Sequence, residues 1–250
     1  MFLRPCLSLS VRAALLVWSL ASHAAVAAPL DEAYLAVVQM PSHGASGTIV
    51  YTASDETIVL TVAHAFEGAA RNRPMVVLVP RPEGAGIEKR VGIRLVAIDA
   101  RADLALVRLG TGPLGRSARV APRGFNGPLT WAYSCGYDGM QLPAVWARTR
   151  IRGSQGQTTF TEQTPGHGRS GGALFDAGTG YLVGVVQGYT LERPPVGLYA
   201  SLTSIHAFLD RNGFGRVLGD AEPRGSLPEA AGPGASGRRD DPAPARPCPQ

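Results

Sequence analysis

Cysteine is scarce in this chain, and residues that bind metal ions are not grouped in its sequence. Three cysteines occur among 250 residues, too few for a disulfide framework. Neither an HExxH pattern nor a closely spaced set of cysteines and histidines is present. Cys135 and Cys248 could pair in an oxidising compartment, but we interpret both as incidental. The sequence therefore predicts no metal site and no cofactor.

Charge is also limited, since only 17% of the residues are Asp, Glu, Lys or Arg. The formal net charge of +5 includes Arg4 and Arg12 near the N-terminus, and removing them lowers it to about +3. No run of Lys or Arg crosses the body of the chain, which argues against a nucleic-acid partner. A hydrophobic content of 45% is that of a globular protein.

No apolar run in the sequence reaches the ~20 residues that a membrane-spanning helix needs. The apolar segment at residues 13–20 follows Arg4 and Arg12 and precedes the small residues at 25–27. That order is typical of an export signal. We expect residues 1–27 to be a signal peptide, cleaved before Ala28, and the mature chain to be periplasmic or extracellular. After cleavage we expect a monomer with no membrane contact.

Short strands account for most of the remaining sequence. Segments rich in Val, Ile and Leu are separated by turn residues, and a Gly/Pro/Arg-rich connection at 110–127 divides them into two sets of six. The first set is 35–40, 46–53, 56–62, 75–81, 90–99 and 103–109; the second is 129–136, 144–151, 158–163, 172–176, 181–188 and 197–202. Their number predicts an all-β chain of two barrels, the first at about 33–112 and the second at about 126–203.

Helix is expected only in a short turn after His64 and in a terminal segment, residues 203–212. Thr203 is a suitable N-cap for that segment. The composition then changes to Gly, Pro, Ala and Arg with few aliphatic residues. Because such a segment buries little apolar surface, we expect residues 217–250 to be disordered. The folded domain is therefore predicted to span residues 28–216.

One glycine-rich stretch, GHGRSGGALFD at residues 166–176, surrounds Ser170 with glycines. A serine hydroxyl is a weak nucleophile, so a catalytic one needs an adjacent base and N–H donors for the oxyanion that its attack creates. Two upstream positions could supply the base and its orienting acid. His64 ends an apolar run in the pattern TVAH, and Asp103 begins the alternating strand DLALVRL.

At these three places the chain resembles the trypsin-like (chymotrypsin-fold) serine proteases, whose local patterns read TAAH, D-[IL]-A-L and G-x-SGG. The DLALVRL strand and the absence of a cysteine after His64 resemble most the bacterial branch that includes the HtrA-type proteases. The C-terminal tail is too short for the PDZ domain that those proteases carry. The resemblance implies that residues 28–216 form a serine endopeptidase domain acting on proteins or peptides.

The same resemblance implies the fold and the roles of individual residues. The fold is two six-stranded Greek-key β-barrels with the active site in the cleft between them and a short C-terminal helix. His64, Asp103 and Ser170 would form the catalytic triad, and the backbone N–H groups of Gly168 and Ser170 would form the oxyanion hole. The histidine and the aspartate would come from the first barrel and the serine from the second.

The primary substrate pocket can be assigned in the same way. By position, the resemblance implies that Thr164 lies at its base, His167 at its mouth and Gln187 in one wall. None of these residues is acidic. A strong preference for Arg or Lys is therefore disfavoured, and we expect an uncharged side chain of small or medium size.

Two residues near the motifs need separate consideration. Asp99 competes with Asp103 as the acid, but Asp103 begins the strand where the resemblance places that residue. Arg169 departs from the family pattern, because animal digestive proteases carry at this position an aspartate that pairs with a newly cut N-terminus. Activation by a processed N-terminus is therefore not expected, and the simplest expectation is that Arg169 points to solvent.

Two other functions compete with proteolysis. A non-catalytic trypsin-like domain would bind a partner through its cleft, and Arg169 is the feature that favours it. A serine esterase is the second alternative, because residues 168–172 also satisfy G-x-S-x-G. That pattern requires a strand before the serine and a helix after it, and Gly171 and Gly172 would begin a poor helix.

Overall fold

The computed structural model of the chain describes residues 30, 33–68, 75–81, 87–90, 94–110, 114–127, 129–218 and 246–247. The predicted signal peptide, residues 1–27, lies outside the described residues, as does most of the tail predicted to be disordered, 217–250. Cys248 lies outside them too, whereas Cys135 is buried. Among the described residues, no helix has the length and apolar character needed to cross a membrane.

The first set of strands forms one antiparallel sheet in the order β5-β4-β1-β2-β3-β7-β6. It holds one strand more than predicted, because β5 precedes the segment predicted at 90–99. This strand has the sequence IEKR, and its three charged residues give no apolar pattern from which a strand could be predicted. In the structure Glu88 forms ion pairs with Arg81 and Arg90. The strands are β1 Val37–Met40, β2 Ala45–Thr52, β3 Glu56–Thr61, β4 Val77–Pro80, β5 Ile87–Arg90, β6 Arg94–Asp99 and β7 Leu104–Gly110.

The second set of strands closes into a six-stranded barrel. Its order is β10-β13-β12-β11-β8-β9, and β9 pairs again with β10 to complete the ring. A short strand, β14, pairs with the other part of β9. The strands are β8 Trp131–Gly136, β9 Val145–Gln155, β10 Thr158–Thr161, β11 Ala173–Asp176, β12 Leu182–Tyr189, β13 Gly197–Ser201 and β14 Arg246–Pro247.

Both sets repeat one topology. In each, the fourth strand returns to lie beside the first, giving β4-β1-β2-β3 in one and β11-β8-β9-β10 in the other, which is the Greek-key order. The predicted all-β, two-barrel architecture is thus confirmed, with the second barrel closed and the first an open curved sheet over the described residues. One core cluster contains buried residues from both sets and from the terminal helical segment, among them Ile49, Leu106, Phe175 and Phe208.

The predicted terminal helix is present as α1, Leu202–Arg211. The prediction of Thr203 as its N-cap is wrong. Ser201 occupies that position with an extended backbone, and its hydroxyl accepts a hydrogen bond from the N–H of Ser204 at 3.3 Å. Because β13 runs directly into the helix, no connecting loop marks the boundary in the sequence. Ile205, Phe208 and Leu209 form the buried face of the helix.

Candidate active site

His64 and Asp103 are joined by two hydrogen bonds. His64 follows the buried residues Val62 and Ala63 after β3 and begins a short 3-10 turn, His64–Phe66. Its Nδ1 lies 2.8 Å from Asp103 Oδ2, and its backbone N–H donates to Asp103 Oδ1 at 2.9 Å. One carboxylate therefore fixes both the position and the orientation of the imidazole ring.

The environment of His64 favours its charged form. The hydrogen bond to Asp103 raises the pKa of His64 above its ordinary value, against partial burial, which lowers it. The negative charges of Asp103 and Glu67 act in the same direction as the hydrogen bond. The imidazole side chain remains 41% exposed, so it can exchange protons with solvent or with a bound molecule.

Asp99, the alternative acid, has a different position and role. Its Oδ1 accepts hydrogen bonds from the N–H groups of Arg101 and Ala102 at 3.0 Å each, and Oδ2 pairs with Arg211. Partial burial raises the pKa of Asp99, but the two backbone hydrogen bonds and Arg211 lower it overall. Asp99 thus fixes the turn before Asp103, which itself adopts φ +49°, a conformation that aspartate tolerates better than most residues.

The loop that carries Ser170 is held through its carbonyl groups. Every carbonyl from Gly166 to Ser170 accepts a hydrogen bond, and three of the donors lie outside the loop. The pairs are Gly166 O with Arg169 N at 3.2 Å, His167 O with Gly139 N at 2.6 Å, Gly168 O with Ser46 Oγ at 2.9 Å, Arg169 O with Gly172 N at 2.8 Å, and Ser170 O with Ser46 N at 2.7 Å.

This arrangement leaves the N–H groups of Gly168 and Ser170 without an acceptor among the described residues. A peptide unit is planar, with its C=O and N–H pointing in opposite directions. Because Gly139 holds the carbonyl of His167, the N–H of Gly168 is turned away from Gly139. Two fixed N–H donors, one on either side of Arg169, are thereby available to an external acceptor.

Glycine is required on both sides of Ser170. Gly168 has φ +90°, and a Cβ there would lie 2.7 Å from Tyr137 O and from Met140 Cε. Gly171 has φ +84°, and its Cβ would lie 2.1 Å from Ser46 O and 2.2 Å from Thr61 Oγ1. Gly168 lets the loop pass close to the segment that follows β8, and Gly171 lets it pass against Ser46 of β2 and Thr61 of β3, three residues before His64.

Ser170 itself is bonded to the neighbouring strand rather than to the imidazole. Its Oγ donates to the carbonyl of Gln187 at 3.4 Å, and no hydrogen bond joins it to His64 within the described ranges. The side chain of Gln187 reaches the first set of strands, since its Nε2 donates to Ala102 O at 2.9 Å. Gln187 therefore links the serine to the turn that carries Asp103.

Thr164 and His167, which were assigned to the substrate pocket from the sequence, are both exposed. Thr164 is exposed and follows β10, while His167 packs its ring against Tyr189 at 5.9 Å between centroids, with 3.3 Å between Nε2 and the tyrosine Oη. Tyr189 was not predicted from the sequence. It lies two residues after Gln187 on β12, whose pairing with β13 shifts register between Val186 and Gly188.

Arg169 does not point to solvent, so that expectation is wrong. The residue is 4% exposed, and its guanidinium binds the carboxylate of Asp138 through Nε and Nη2 and Ser134 through Nη1. A buried guanidinium is tolerated because it is paired and hydrogen-bonded. Nothing in the local sequence around Arg169 indicates this partner, because Asp138 lies 31 residues away in another loop.

No group of three or more metal-ligating side chains occurs within the described part of the chain. The strand–helix elbow of an α/β-hydrolase is absent there as well, because Ser170 is followed by β11, Ala173–Asp176, and not by a helix. The resemblance of residues 168–172 to an esterase motif is therefore limited to the sequence pattern.

Two Greek-key β units with a histidine–aspartate pair in one and a glycine-bounded serine in the other define the class of chymotrypsin-fold proteins. The trypsin-like peptidase domain family matches residues 45–185, a range that includes all three of these side chains. Because the match covers more than half of the chain, the protein belongs to this family.

Among solved structures, the chain is similar to the MamO protease domain from Magnetospirillum magneticum in its apo form. The two share 19% sequence identity with a TM-score of 0.56, over 70% of this chain and 96% of that one. At this identity the similarity supports the fold alone. No curated protein matches the chain.

Proposed function

We propose that this protein is a serine endopeptidase that hydrolyses peptide bonds in proteins or peptides through an acyl-enzyme. The observation that carries the proposal is the presence of two features on segments that Gln187 links, since this residue contacts both Ser170 and Ala102. The imidazole of His64 is oriented by Asp103 at 2.8 Å, and the loop of Ser170 offers two N–H groups with no acceptor among the described residues. A base and an anion site beside a serine are the requirements of acyl transfer.

In this mechanism Ser170 Oγ attacks the scissile carbonyl and His64 Nε2 takes its proton. Asp103 keeps the proton of the imidazole on Nδ1 and stabilises the cation that forms. The carbonyl oxygen becomes an oxyanion, which the N–H groups of Gly168 and Ser170 bind. When the tetrahedral intermediate collapses, the C–N bond breaks, His64 protonates the leaving amine, and the acyl group remains on Ser170. Water then attacks the acyl-enzyme while His64 takes its proton, and the carboxylic acid product leaves as the proton returns to Ser170.

Ser170 has to exchange one acceptor for another before it can react. Its hydroxyl now donates to Gln187 O at 3.4 Å, a long and weak contact. Turning the Ser170 hydroxyl from Gln187 O to His64 therefore costs little hydrogen-bond energy. Catalytic hydrogen bonds are often long or misaligned without substrate and shorten when it binds.

The chemistry of the cleft suggests its preferred substrates. Thr164, His167 and Gln187 would line the primary pocket, and Tyr189, which packs on His167, would narrow its mouth. No carboxylate stands among these residues, and the aromatic pair would limit the room for a side chain. We propose a preference for small or medium uncharged side chains.

The remaining parts of the proposal concern the protein in the cell. The export signal predicted at residues 1–27 would direct the mature protein to the periplasm or the extracellular medium. Within the bacterial trypsin-like proteases, we propose a relationship to the HtrA type without a PDZ domain. We propose that the mature protein acts as a monomer, without a cofactor.

A fluorophosphonate serine probe tests the proposal directly. Purified mature protein is labelled as wild type, Ser170→Ala and His64→Ala, with folding of each checked by circular dichroism. We expect the wild type to label and both variants to fail. Folded wild-type protein that does not label would show that the serine is not activated.

A second candidate function is a trypsin-like domain that binds a partner through the cleft without cleaving it. It is favoured by the hydrogen bond of Ser170 to Gln187 rather than to His64. Binding without cleavage predicts that peptides retained by the wild-type protein remain intact and that Ser170→Ala binds them equally well. Cleavage of the retained peptides by the wild type alone would exclude it.

A further inference from the structure

Arg169 is a buried charged residue that the proposed reaction does not use. It lies between Gly168 and Ser170, whose N–H groups form the proposed oxyanion hole, and it is 4% exposed. Burying an arginine is costly unless charged and hydrogen-bonding partners surround it. Its presence at the centre of the reactive loop therefore requires a physical reason.

The guanidinium of Arg169 is bound by a carboxylate from a second loop. Its Nε donates to Asp138 Oδ1 at 2.7 Å and its Nη2 donates to Asp138 Oδ2, while Nη1 reaches Ser134 Oγ at 3.3 Å. Two parallel bonds between a guanidinium and a carboxylate fix both planes relative to each other. The pair thus determines orientation as well as distance between the two loops.

Asp138 begins the 3-10 turn Asp138–Met140, which follows β8. Its carboxylate also lies directly against the reactive loop, since a Cβ on Gly166 would meet it at 2.5 to 2.8 Å. The next residue, Gly139, donates its N–H to His167 O at 2.6 Å. This hydrogen bond turns the N–H of Gly168 away from Gly139 and leaves it without an acceptor among the described residues.

Ser46 makes the neighbouring contacts between the same segments. Its hydroxyl donates to Gly168 O and accepts from Tyr137 N, each at 2.9 Å. The ion pair and these backbone bonds therefore act on the same two segments, residues 137–139 and 166–170. Loss of the ion pair would leave these segments joined by the hydrogen bonds of Gly139 and Ser46.

We propose that the Arg169–Asp138 pair is a built-in positioning device that keeps the oxyanion loop in its anion-binding conformation. The proposal rests on the proposed function of the site and deepens it. Both partners belong to the folded domain, so this ion pair does not use a chain terminus as a partner. Arg169 and Asp138 are positioning residues, since they act through the N–H groups of Gly168 and Ser170.

The test compares Asp138→Asn and Arg169→Gln with wild-type protein. Asp210→Asn serves as the matched control, because it removes the carboxylate of another Arg–Asp pair, Arg123–Asp210, which is exposed. Peptide hydrolysis is measured per active site, with sites counted by end-point fluorophosphonate labelling. A purely structural role would reduce the number of sites without changing the turnover of each.

We expect both variants to lower kcat per labelled site by about 10- to 100-fold, since loss of one oxyanion donor costs about 10² to 10³. KM should change by less than about threefold, because the lost interaction is made in the transition state. Asp210→Asn should stay within about twofold of wild type. The double variant should be no slower than the slower single one if the two residues act as a unit.

Hydrogen exchange of the loops gives a readout that does not depend on activity. In wild-type protein the N–H groups of Gly139, Arg169, Gly171 and Gly172 are hydrogen-bonded and should be protected. Asp138→Asn and Arg169→Gln should speed exchange in segments 137–140 and 166–172, and Asp210→Asn should not. Should either variant fail to fold, Asp138→Glu and Arg169→Lys keep the charges and should give intermediate effects in both assays.

Unchanged exchange together with unchanged kcat in the folded variants would overturn the proposal. An additive loss in the double variant would also contradict it. If wild-type protein does not label at all, the proposed function fails, and the exchange experiment still decides this inference. Faster exchange in the variants would then support a positioning role, and equal exchange would refute it.

Discussion

The two halves of the candidate site are held by different kinds of contact. The carboxylate of Asp103 binds both the backbone N–H and the ring of His64. The side chain of His64 is 41% exposed. The loop of Ser170 is held by hydrogen bonds to its carbonyls and by a guanidinium whose side chain is only 5% exposed. One half therefore depends on side-chain chemistry near solvent, and the other on backbone geometry in the interior.

This difference corresponds to what each half would do. A general base has to gain and lose a proton, so access to solvent and a tunable pKa suit it. N–H donors for an oxyanion have to be fixed before the charge develops, because reorganisation during the reaction would cost free energy. Substitutions that change side-chain chemistry should therefore have their largest effect at the His64–Asp103 pair. Substitutions that add side-chain volume should have their largest effect in the loop of Ser170.

The largest effect is expected from Asp103→Asn. Oδ1 accepts from the backbone N–H of His64, so the asparagine oxygen will occupy that position and its NH₂ group will face Nδ1. The imidazole must then carry its proton on Nε2, where it cannot accept one from Ser170. We expect kcat for peptide hydrolysis to fall about 10⁴-fold, as for other triads of this kind.

Exposed Asp55 in the β2–β3 turn provides the control for this change. Asp55→Asn removes a carboxylate from the same sheet and should leave kcat within about twofold of wild type. A similar kcat for Asp103→Asn and wild type would mean that Asp103 does not orient the base.

The second largest effect is expected from Gly171→Ala, which tests the backbone half. The new Cβ would lie 2.1 Å from Ser46 O at a φ of +84°, so both steric overlap and backbone strain result. We expect the free energy of unfolding in urea to fall by about 3 kcal/mol. At Gly178 a Cβ meets only Asp176 Oδ2, at 3.5 Å. Equal losses for Gly171→Ala and Gly178→Ala would contradict the close approach inferred at Gly171.

Local patterns were enough to predict the elements that carry the site. Runs of Val, Ile and Leu between turn residues located the strands on both sides of His64, Asp103 and Ser170, and the strand after Asp103 also showed period-two alternation. Strand β5 was missed because its four residues, IEKR, include three charged ones. The cap at Ser201 was missed because strand β13 passes into helix α1 without a loop.

Contacts between distant segments could not be predicted in this way. Ser46 lies 122 residues before Gly168, whose carbonyl it binds, and nothing in its own neighbourhood indicates that role. The partner of Arg169 was likewise hidden, so a charged residue beside the nucleophile was expected at the surface. Side-chain pairing of this kind depends on how two loops pack, which a single sequence does not specify.

A smaller effect is expected from Ser201→Ala, which lies outside both halves. Its hydroxyl caps α1 through Ser204 N at 3.3 Å, and loss of such a cap typically costs ~1 kcal/mol. We expect that decrease in the free energy of unfolding with little change in kcat. Thr203→Ala, in the first turn of the helix, is the control and should cost less. A larger loss at Thr203 would show that the cap has been assigned to the wrong residue.

The smallest change in activity near neutral pH is expected from titration of His64. Its pH profile distinguishes the half of the site that holds the base from the half that holds the oxyanion loop. Because Asp103 raises the pKa of His64, kcat/KM should rise with pH along a limb whose midpoint lies above the ordinary histidine value, ~6.5. Asp103→Asn should move that limb to lower pH. Asp138→Asn should reduce kcat without moving it, because it changes the oxyanion loop and not the base.

The same shift predicts a small effect on stability with a definite sign. The contact with Asp103 stabilises the folded protein fully below the unfolded pKa of His64, and this contribution is lost as pH rises through the higher folded pKa. Solvent screens the partly exposed pair, so only a slight fall in the urea midpoint is expected across this window. His64→Gln should abolish that fall, and a fall that persists in the variant would have to come from another group.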